Sequence, residues 1–156
     1  MRFTWICLAV SLATPSSVYA DAKCGSSHDV VRAIYAAVLA RDPDPEGLNF
    51  HVRKLESGAN VRRVTLDIAL DPNGEVKRRF TAGKDARQTV ELAYETFFGR
   101  SLSPDERGNV EGYRQDGVKA YELMIYAIFH SLEYSKNFGD DTVPHDLRTQ
   151  GVKYCR

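Results

Sequence analysis

Apolar side chains recur every three or four positions along most of this chain, and no stretch alternates with the period of two that marks a strand. Val30, Val31, Ile34, Tyr35, Val38 and Leu39 share one helical face, with Ser26, Ser27 and Asp29 supplying capping chemistry ahead of it. Val90, Ala93, Tyr94, Phe97 and Phe98 draw the same face again. Each run ends at a small residue and an arginine, Ala40 with Arg41 and Gly99 with Arg100. A helix C-terminus favours a cation there, and glycine takes the left-handed cap. Pro45 and Pro104 then open a second helix in the first-turn position where the missing N–H costs nothing, beside the helpful acids Glu46, Asp105 and Glu106. Leu48, Val52 and Leu55 face inward from the first of these helices. The second offers only Val110 and Tyr113 and is expected to be shorter or more exposed.

Gly58 and Gly117 stop these segments. Third helices begin near Asn60 and Gly117, carrying Val61, Val64 and Ile68 in one case and Tyr121, Ile125, Ile128 and Phe129 in the other. Short helices near 75–80 and 132–138 follow. A shift of 59 positions carries Tyr35 onto Tyr94, Arg41 onto Arg100, Pro45 onto Pro104 and Gly58 onto Gly117, and the register reads without a gap. The pattern predicts an all-α class: a compact helical domain of two pseudo-repeated helical units, about 28–81 and 87–139.

Composition narrows the partners. Lys plus Arg number 21 against 21 Asp plus Glu, so no overall positive field draws in a phosphate backbone, and a nucleic-acid partner is not expected. Residues 1–20 read as a signal peptide: Arg2, a short apolar stretch from Phe3 to Ala13, a break at Thr14 to Ser17, and Val18, Tyr19 and Ala20 at the cleavage positions. The apolar stretch falls well short of the ~20 residues that span a bilayer, so no transmembrane segment is expected after its removal. The expected mature chain, 21–156, is a single exported domain, periplasmic or secreted. Cys7 would leave with the signal, and Cys24 and Cys155 would remain near the two ends. Domain termini often lie close together, so a disulfide is expected rather than two unpaired ends. In the chain-entropy picture, closing so long a loop stabilises a fold by about 4–5 kcal/mol.

Reactive chemistry is thin. Asp42, Asp44, Glu46 and Gly47 imitate half of a calcium loop, but Arg53 stands where the bidentate glutamate belongs. His28, His51, His130 and His145 have no metal-ligand spacing, and His51 falls beside Arg53 and Lys54 on a face expected to be solvated. Asp140 and Asp141 lack a partner acid, base or nucleophile. No catalytic residue, metal or cofactor is therefore assigned. Arg62, Arg63, Lys77, Arg78 and Arg79 read as solvated helix faces. Tyr94, Phe97, Phe98, Tyr121, Tyr126 and Phe129 read as core first and interface second. A binding surface is expected where Tyr134, Asn137, Phe138, Gly139, Asp140, Asp141, Val143 and Pro144 meet.

The second unit, from Val90-Glu91-Leu92-Ala93-Tyr94 through Phe97-Phe98-Gly99-Arg100 to the ordered run Ser131-Leu132-Glu133-Tyr134 … Asn137-Phe138-Gly139-Asp140 … Val143-Pro144, resembles the phycobilisome linker domain. The first unit, with Leu39-Ala40-Arg41-Asp42-Pro43-Asp44-Pro45-Glu46-Gly47-Leu48, looks more like a related short repeat of bacterial secreted proteins. The resemblance covers about residues 28–145. It implies a helical fold with internal pseudo-repetition and, in cyanobacterial members, a non-enzymatic linker that sits within stacked rings of phycobiliproteins. Export and neutral charge depart from that pattern, and two readings follow. One is an exported, non-enzymatic module that binds or scaffolds another protein or a surface polymer. The alternative is a genuine linker polypeptide organising phycobiliproteins in a thylakoid-associated phycobilisome.

Overall fold

The computed structural model describes residues 22–110, 118–145 and 151–156. The expected signal peptide, Tyr113 and Gly117 lie outside them. Helix α1 (Ser27–Leu39) starts where Ser26 and Asp29 cap each other. The Asp29 N–H donates to Ser26 Oγ, and the Ser26 N–H and O–H both donate to the Asp29 carboxylate. It buries Val30, Val31, Ile34, Tyr35 and Val38 and ends at Ala40, whose φ of 55° is left-handed. Helix α2 (Pro45–Glu56) begins at Asp44, whose carboxylate accepts the Gly47 N–H. Helices α3 (Val61–Ala69) and α4 (Glu75–Thr81) complete the first unit.

The second unit repeats this order in α5 (Ala86–Phe98), α6 (Pro104–Asn109), α7 (Val118–His130) and α8 (Leu132–Asn137). Helices α1 and α5 are each 13 residues long and begin and end 59 positions apart, and Gly99 takes the left-handed cap at φ 66°. Helix α6 has 6 residues against 12 in α2, as its sparse apolar content implied.

The expected gapless register does not hold to the end. The buried set Val61, Val64, Thr65, Ile68 and Ala69 of α3 matches Tyr121, Met124, Ile125, Ile128 and Phe129 of α7 at a shift of 60, and Val76 and Phe80 of α4 match Tyr134 and Phe138 of α8 at 58. The cause is the connection. Residues 70–74 separate α3 from α4, whereas Ser131 alone separates α7 from α8 and serves as the α8 N-cap. Each helix turns to the register that buries its apolar face, and the connections absorb the difference.

A chain of aromatic contacts joins the two units in one core. Phe80 stacks on Phe97 with centroids 5.7 Å apart, Phe97 meets Phe129 at 5.1 Å, Phe129 meets Tyr134 at 4.7 Å and Tyr134 meets Phe138 at 5.2 Å. Burying each such ring stabilises the fold by about 1.5–3 kcal/mol. Two hydrogen bonds cross between units within this core, from Tyr121 Oη to the Ala69 carbonyl (3.1 Å) and from Thr89 Oγ1 to the Phe80 carbonyl (3.0 Å).

Two short strands correct the expectation of none. β1 (Lys23–Gly25) and β2 (Val152–Tyr154) pair in parallel, Cys24 opposite Lys153. Three residues each is too few for alternation to show in the sequence. Cys24 and Cys155, 131 positions apart, are joined, with Cα atoms 5.5 Å apart. The strap so formed accepts the Val143 N–H at the Val152 carbonyl (2.9 Å) and donates the Tyr154 N–H to the Asp141 carbonyl (2.7 Å). Gly25 lets β1 lie close to both β2 and α1, because a Cβ there would stand 2.8 Å from Val152 Cγ1 and 3.2 Å from Asp29 Cβ.

Replacing both Cys24 and Cys155 by serine is expected to keep the helical circular dichroism and lower stability by about 2–5 kcal/mol in urea denaturation. An unchanged midpoint would mean that the strap is held by its other bonds alone. The two caps are expected to respond in opposite senses. Gly99→Ala should cost about 1–2 kcal/mol, whereas Ala40→Gly should stabilise by up to about 1 kcal/mol, by the same measurement.

Candidate functional site

Each unit is organised by the arginine that follows its left-handed cap. Arg41 donates from Nε and Nη2 to the two Glu75 carboxylate oxygens, both at 2.7 Å, and from Nη1 to the Asp42 carbonyl (2.8 Å), while its guanidinium lies 5.3 Å from the Tyr35 ring centroid. Arg100 repeats every part. It donates to Glu133 at 2.6 and 2.7 Å and to the Ser101 carbonyl at 3.0 Å, and lies 5.1 Å from the Tyr94 ring. The second unit adds Glu106, bound by Nη1 and Nη2 at 2.8 Å each, whose carboxylate also accepts the Ser103 N–H (2.8 Å). Bonds from Arg100 hold the Glu106 carboxyl at a pKa of about 2, and both carboxylates push Arg100 upward. Glu75 is likewise lowered by Arg41. Of the expected turn and cap positions, Arg41 and Arg100 make these bonds, Gly99 caps α5, and Pro45 and Pro104 open α2 and α6.

Two members of the basic clusters turn inward rather than onto solvated faces. Arg79 donates to the Ala37 and Val38 carbonyls at the end of α1, satisfying acceptors that a helix C-terminus leaves open. Arg62 lies 5.0 Å from the Tyr134 ring, donates to Ser135 Oγ and pairs with Asp140 at 3.4 Å. Its backbone N–H donates to the Asp140 carbonyl (2.9 Å), which docks the closing loop onto the start of α3. Arg63 and Arg78 are exposed.

The structure places the expected binding residues of that loop near one another, but half of them are buried. Tyr134 is fully buried, and burial raises its hydroxyl pKa; Phe138, Val143 and Pro144 are buried too. Asn137, Gly139 and Asp141 are half-buried, and Asp140 is the exposed member. His145 is wedged beneath the strap. It contacts the Val143 carbonyl through Nδ1 (2.9 Å), meets Phe138 edge-on, and fills the space a Gly151 Cβ would need.

Sequence reasoning missed the outer face of α7. Leu123 is 62% exposed, Tyr126 48% and Leu132, at the start of α8, 89%. Tyr126 stacks on His130, with centroids 6.1 Å apart, outside the core to which it was assigned. The signal lay in the periodicity, because 123, 126 and 130 fall on the side of α7 opposite 121, 125 and 128. Phe97, Phe98, Tyr121 and Phe129 are core, and Tyr94 is half-buried. His51, expected on a solvated face, instead sits half-buried between Tyr35 and Phe50, and desolvation lowers its pKa.

In the first unit a cavity of about 550 Å³ opens beside Arg41, with Tyr35, Asp44, Gly47, Phe50 and His51 among its walls. Asp44, from the calcium-like run Asp42, Asp44 and Glu46, spends its carboxylate on capping α2. Among the described residues no group of three or more His, Cys, Asp or Glu is placed to hold a metal ion, and no helix is long and apolar enough to cross a membrane.

The Glu106 carboxylate titrates lower in the fold than its ordinary value of 4.5, so its stabilising effect is complete above that pH and disappears as pH falls towards about 2. Acid titration followed by helical signal is expected to show stability falling across this window. Glu106→Gln should flatten that part of the curve, and an identical slope in the variant would contradict the assignment.

A family model described as Phycobilisome Linker polypeptide matches residues 23–147. Among curated proteins, the chain is similar to Phycobiliprotein ApcE of Synechocystis sp., 27% identical over 124 residues, covering 75% of this chain and 13% of the relative. The same-named protein of Cyanophora paradoxa is 27% identical over 123 residues, covering 74% and 13%, and that of Galdieria sulphuraria 28% over 138 residues, covering 83% and 15%. The chain therefore spans 13–15% of the length of these relatives.

Proposed function

The chain belongs to the phycobilisome linker polypeptide family, and on that premise we propose that it is a non-catalytic linker module that binds phycobiliproteins and fixes their arrangement in a thylakoid-associated antenna. The observation that carries this reading is the family match, which runs through both helical units and the closing loop. The relatives, named as phycobiliproteins, agree with it. The fold supplies suitable means. A core continuous across both units and a strap joining the ends make a rigid body, and rigid bodies bind with little ordering cost. The exposed apolar residues Leu123, Tyr126 and Leu132 supply contact area of the kind that interfaces bury. Asp140, with half-buried Asn137, Gly139 and Asp141 beside it, supplies a polar edge, while buried Tyr134, Phe138, Val143 and Pro144 hold that edge in place.

The test is co-elution of the purified chain with purified phycobiliproteins on size exclusion, read by bilin absorbance. A shifted bilin peak containing the chain is expected, reduced at least about fivefold, or by about 1 kcal/mol, in a Leu123→Asp, Leu132→Asp variant that keeps its helical signal. Phycobiliproteins eluting unchanged at saturating chain would contradict the reading.

One observation favours a second reading. The Cys24–Cys155 disulfide is exposed, and such bonds persist chiefly in oxidising compartments. In this reading residues 1–20 are removed, and 21–156 acts in the periplasm or outside the cell as a scaffold for another protein or a surface polymer. Intact-mass analysis of native material distinguishes them, since export requires a chain beginning at Asp21 with no free thiol.

A further inference from the structure

Around their arginines the two units differ at two positions of the α2 and α6 caps: the N-cap is Asp44 in the first unit and Ser103 in the second, and the residue three further on differs as well. A shift of 59 carries Gly47 onto Glu106. In the second unit the Glu106 carboxylate closes the outer edge of Arg100, taking one hydrogen bond from Nη1 and one from Nη2, at 2.8 Å each. In the first unit Arg41 makes all the other bonds of its counterpart, to Glu75 and to the Asp42 carbonyl, but Gly47 has no side chain to close that edge. Each terminal guanidinium nitrogen carries two hydrogens in a fixed plane, so Nη1 and Nη2 of Arg41 each keep one N–H on the side where Glu106 lies in the other unit.

Arg41 lines the 550 Å³ cavity, and its side chain is 38% exposed. Tyr35 adds a donor. Its hydroxyl lies 2.6 Å from where a Gly47 Cβ would stand and makes no hydrogen bond among the described residues. Five carboxylates also line the cavity and oppose a further anion, but four have partners. Asp67 is paired with Lys54 and Arg63, Glu75 with Arg41, Asp44 caps the Gly47 N–H and Asp71 accepts from the Asn73 amide, while Arg53 lines the cavity together with Glu46. Arg100 demonstrates that one such guanidinium in this fold accommodates two carboxylates at once.

We propose that the outer edge of Arg41, with the Tyr35 hydroxyl, receives an Asp or Glu side chain presented by a partner protein, seated where Glu106 sits in the second unit. A bidentate, charge-assisted pair of this kind gives orientation as well as attraction. The inference stands on the comparison of the two units and does not need the linker reading.

The full chain is titrated, by ¹H–¹⁵N NMR, with the blocked peptide acetyl-Ala-Ala-Glu-Ala-Ala-amide, with its glutamine and lysine counterparts, and with acetate. The glutamate peptide is expected to move the Arg41 Nε–H and Gly47 resonances saturably, and the glutamine peptide at least tenfold more weakly. Gly47→Glu, which supplies the carboxylate from within, should abolish the response. Should that variant lose its helical signal, Tyr35→Phe is used and should weaken the response at least twofold. A stronger response to the lysine peptide would show that the acidic walls dominate and would overturn the proposal. Acetate binding without the peptide would overturn the assignment to a partner's side chain in favour of free small carboxylates. Capture of phycobiliprotein by a chain that ignores the peptide would remove this slot and leave the linker reading intact; the reverse pattern would do the opposite.

Discussion

The bidentate link from an arginine just past a left-handed helix cap to a glutamate in the first turn of the fourth helix sets the geometry of each unit. Ala40 and Gly99 reverse the chain so that Arg41 and Arg100 reach back towards Glu75 and Glu133. The glutamates are well placed to receive them, because a helix N-terminus already favours negative charge. Neither pair is deeply buried, with side chains about a third exposed, so its contribution is directional more than large. It fixes the distance between the end of one helix and the start of another across 34 and 33 positions of chain.

Given that frame, the rest follows from burial. The aromatic series Phe80, Phe97, Phe129, Tyr134 and Phe138 runs from one unit into the other, so the two units share one continuous core. The run that resembles the family most closely contributes Tyr134 and Phe138 to this core, and Arg62 and the terminal strap clamp its exposed end. The loop that ends this run, from Gly139 to Pro144, thus acts first as a structural closure and leaves only Asp140 exposed, whereas Leu132 at the start of the run stays exposed. The outer side of α7 presents more apolar surface, in Leu123 and Tyr126.

What was legible in the sequence was what local chemistry decides. Ser26 with Asp29, Pro45, Pro104 and Gly99 mark helix boundaries because capping and φ preferences act over three or four residues. The buried face of α1 and the brevity of α6 could be read from apolar spacing. The shift of register at α7 and α8 could not, because it is set by how helices of different length pack across a one-residue connection. Tyr126 and His51 were misplaced for the same reason, since residue type alone does not say which side of a helix meets a neighbour. The paired cysteines were readable from their count, but the strands beside them were not, because the pairing comes from the closure of the ends and involves three residues each. The Arg100–Glu133–Glu106 cluster left no sequence signal beyond the repeated arginine, and the gap at Gly47 has meaning only beside its filled counterpart.

The most direct test of this account is a double-mutant cycle on Arg100 and Glu133, using Arg100→Met and Glu133→Gln and urea denaturation, beside the same cycle on the exposed helix pair Arg87 and Glu91. If the arginine link organises the unit, the Arg100–Glu133 coupling should be about 1 kcal/mol or more, and that of Arg87 with Glu91 no more than about 0.5 kcal/mol. Equal, near-zero couplings would contradict it, and would mean that the apolar core alone sets the arrangement of the helices.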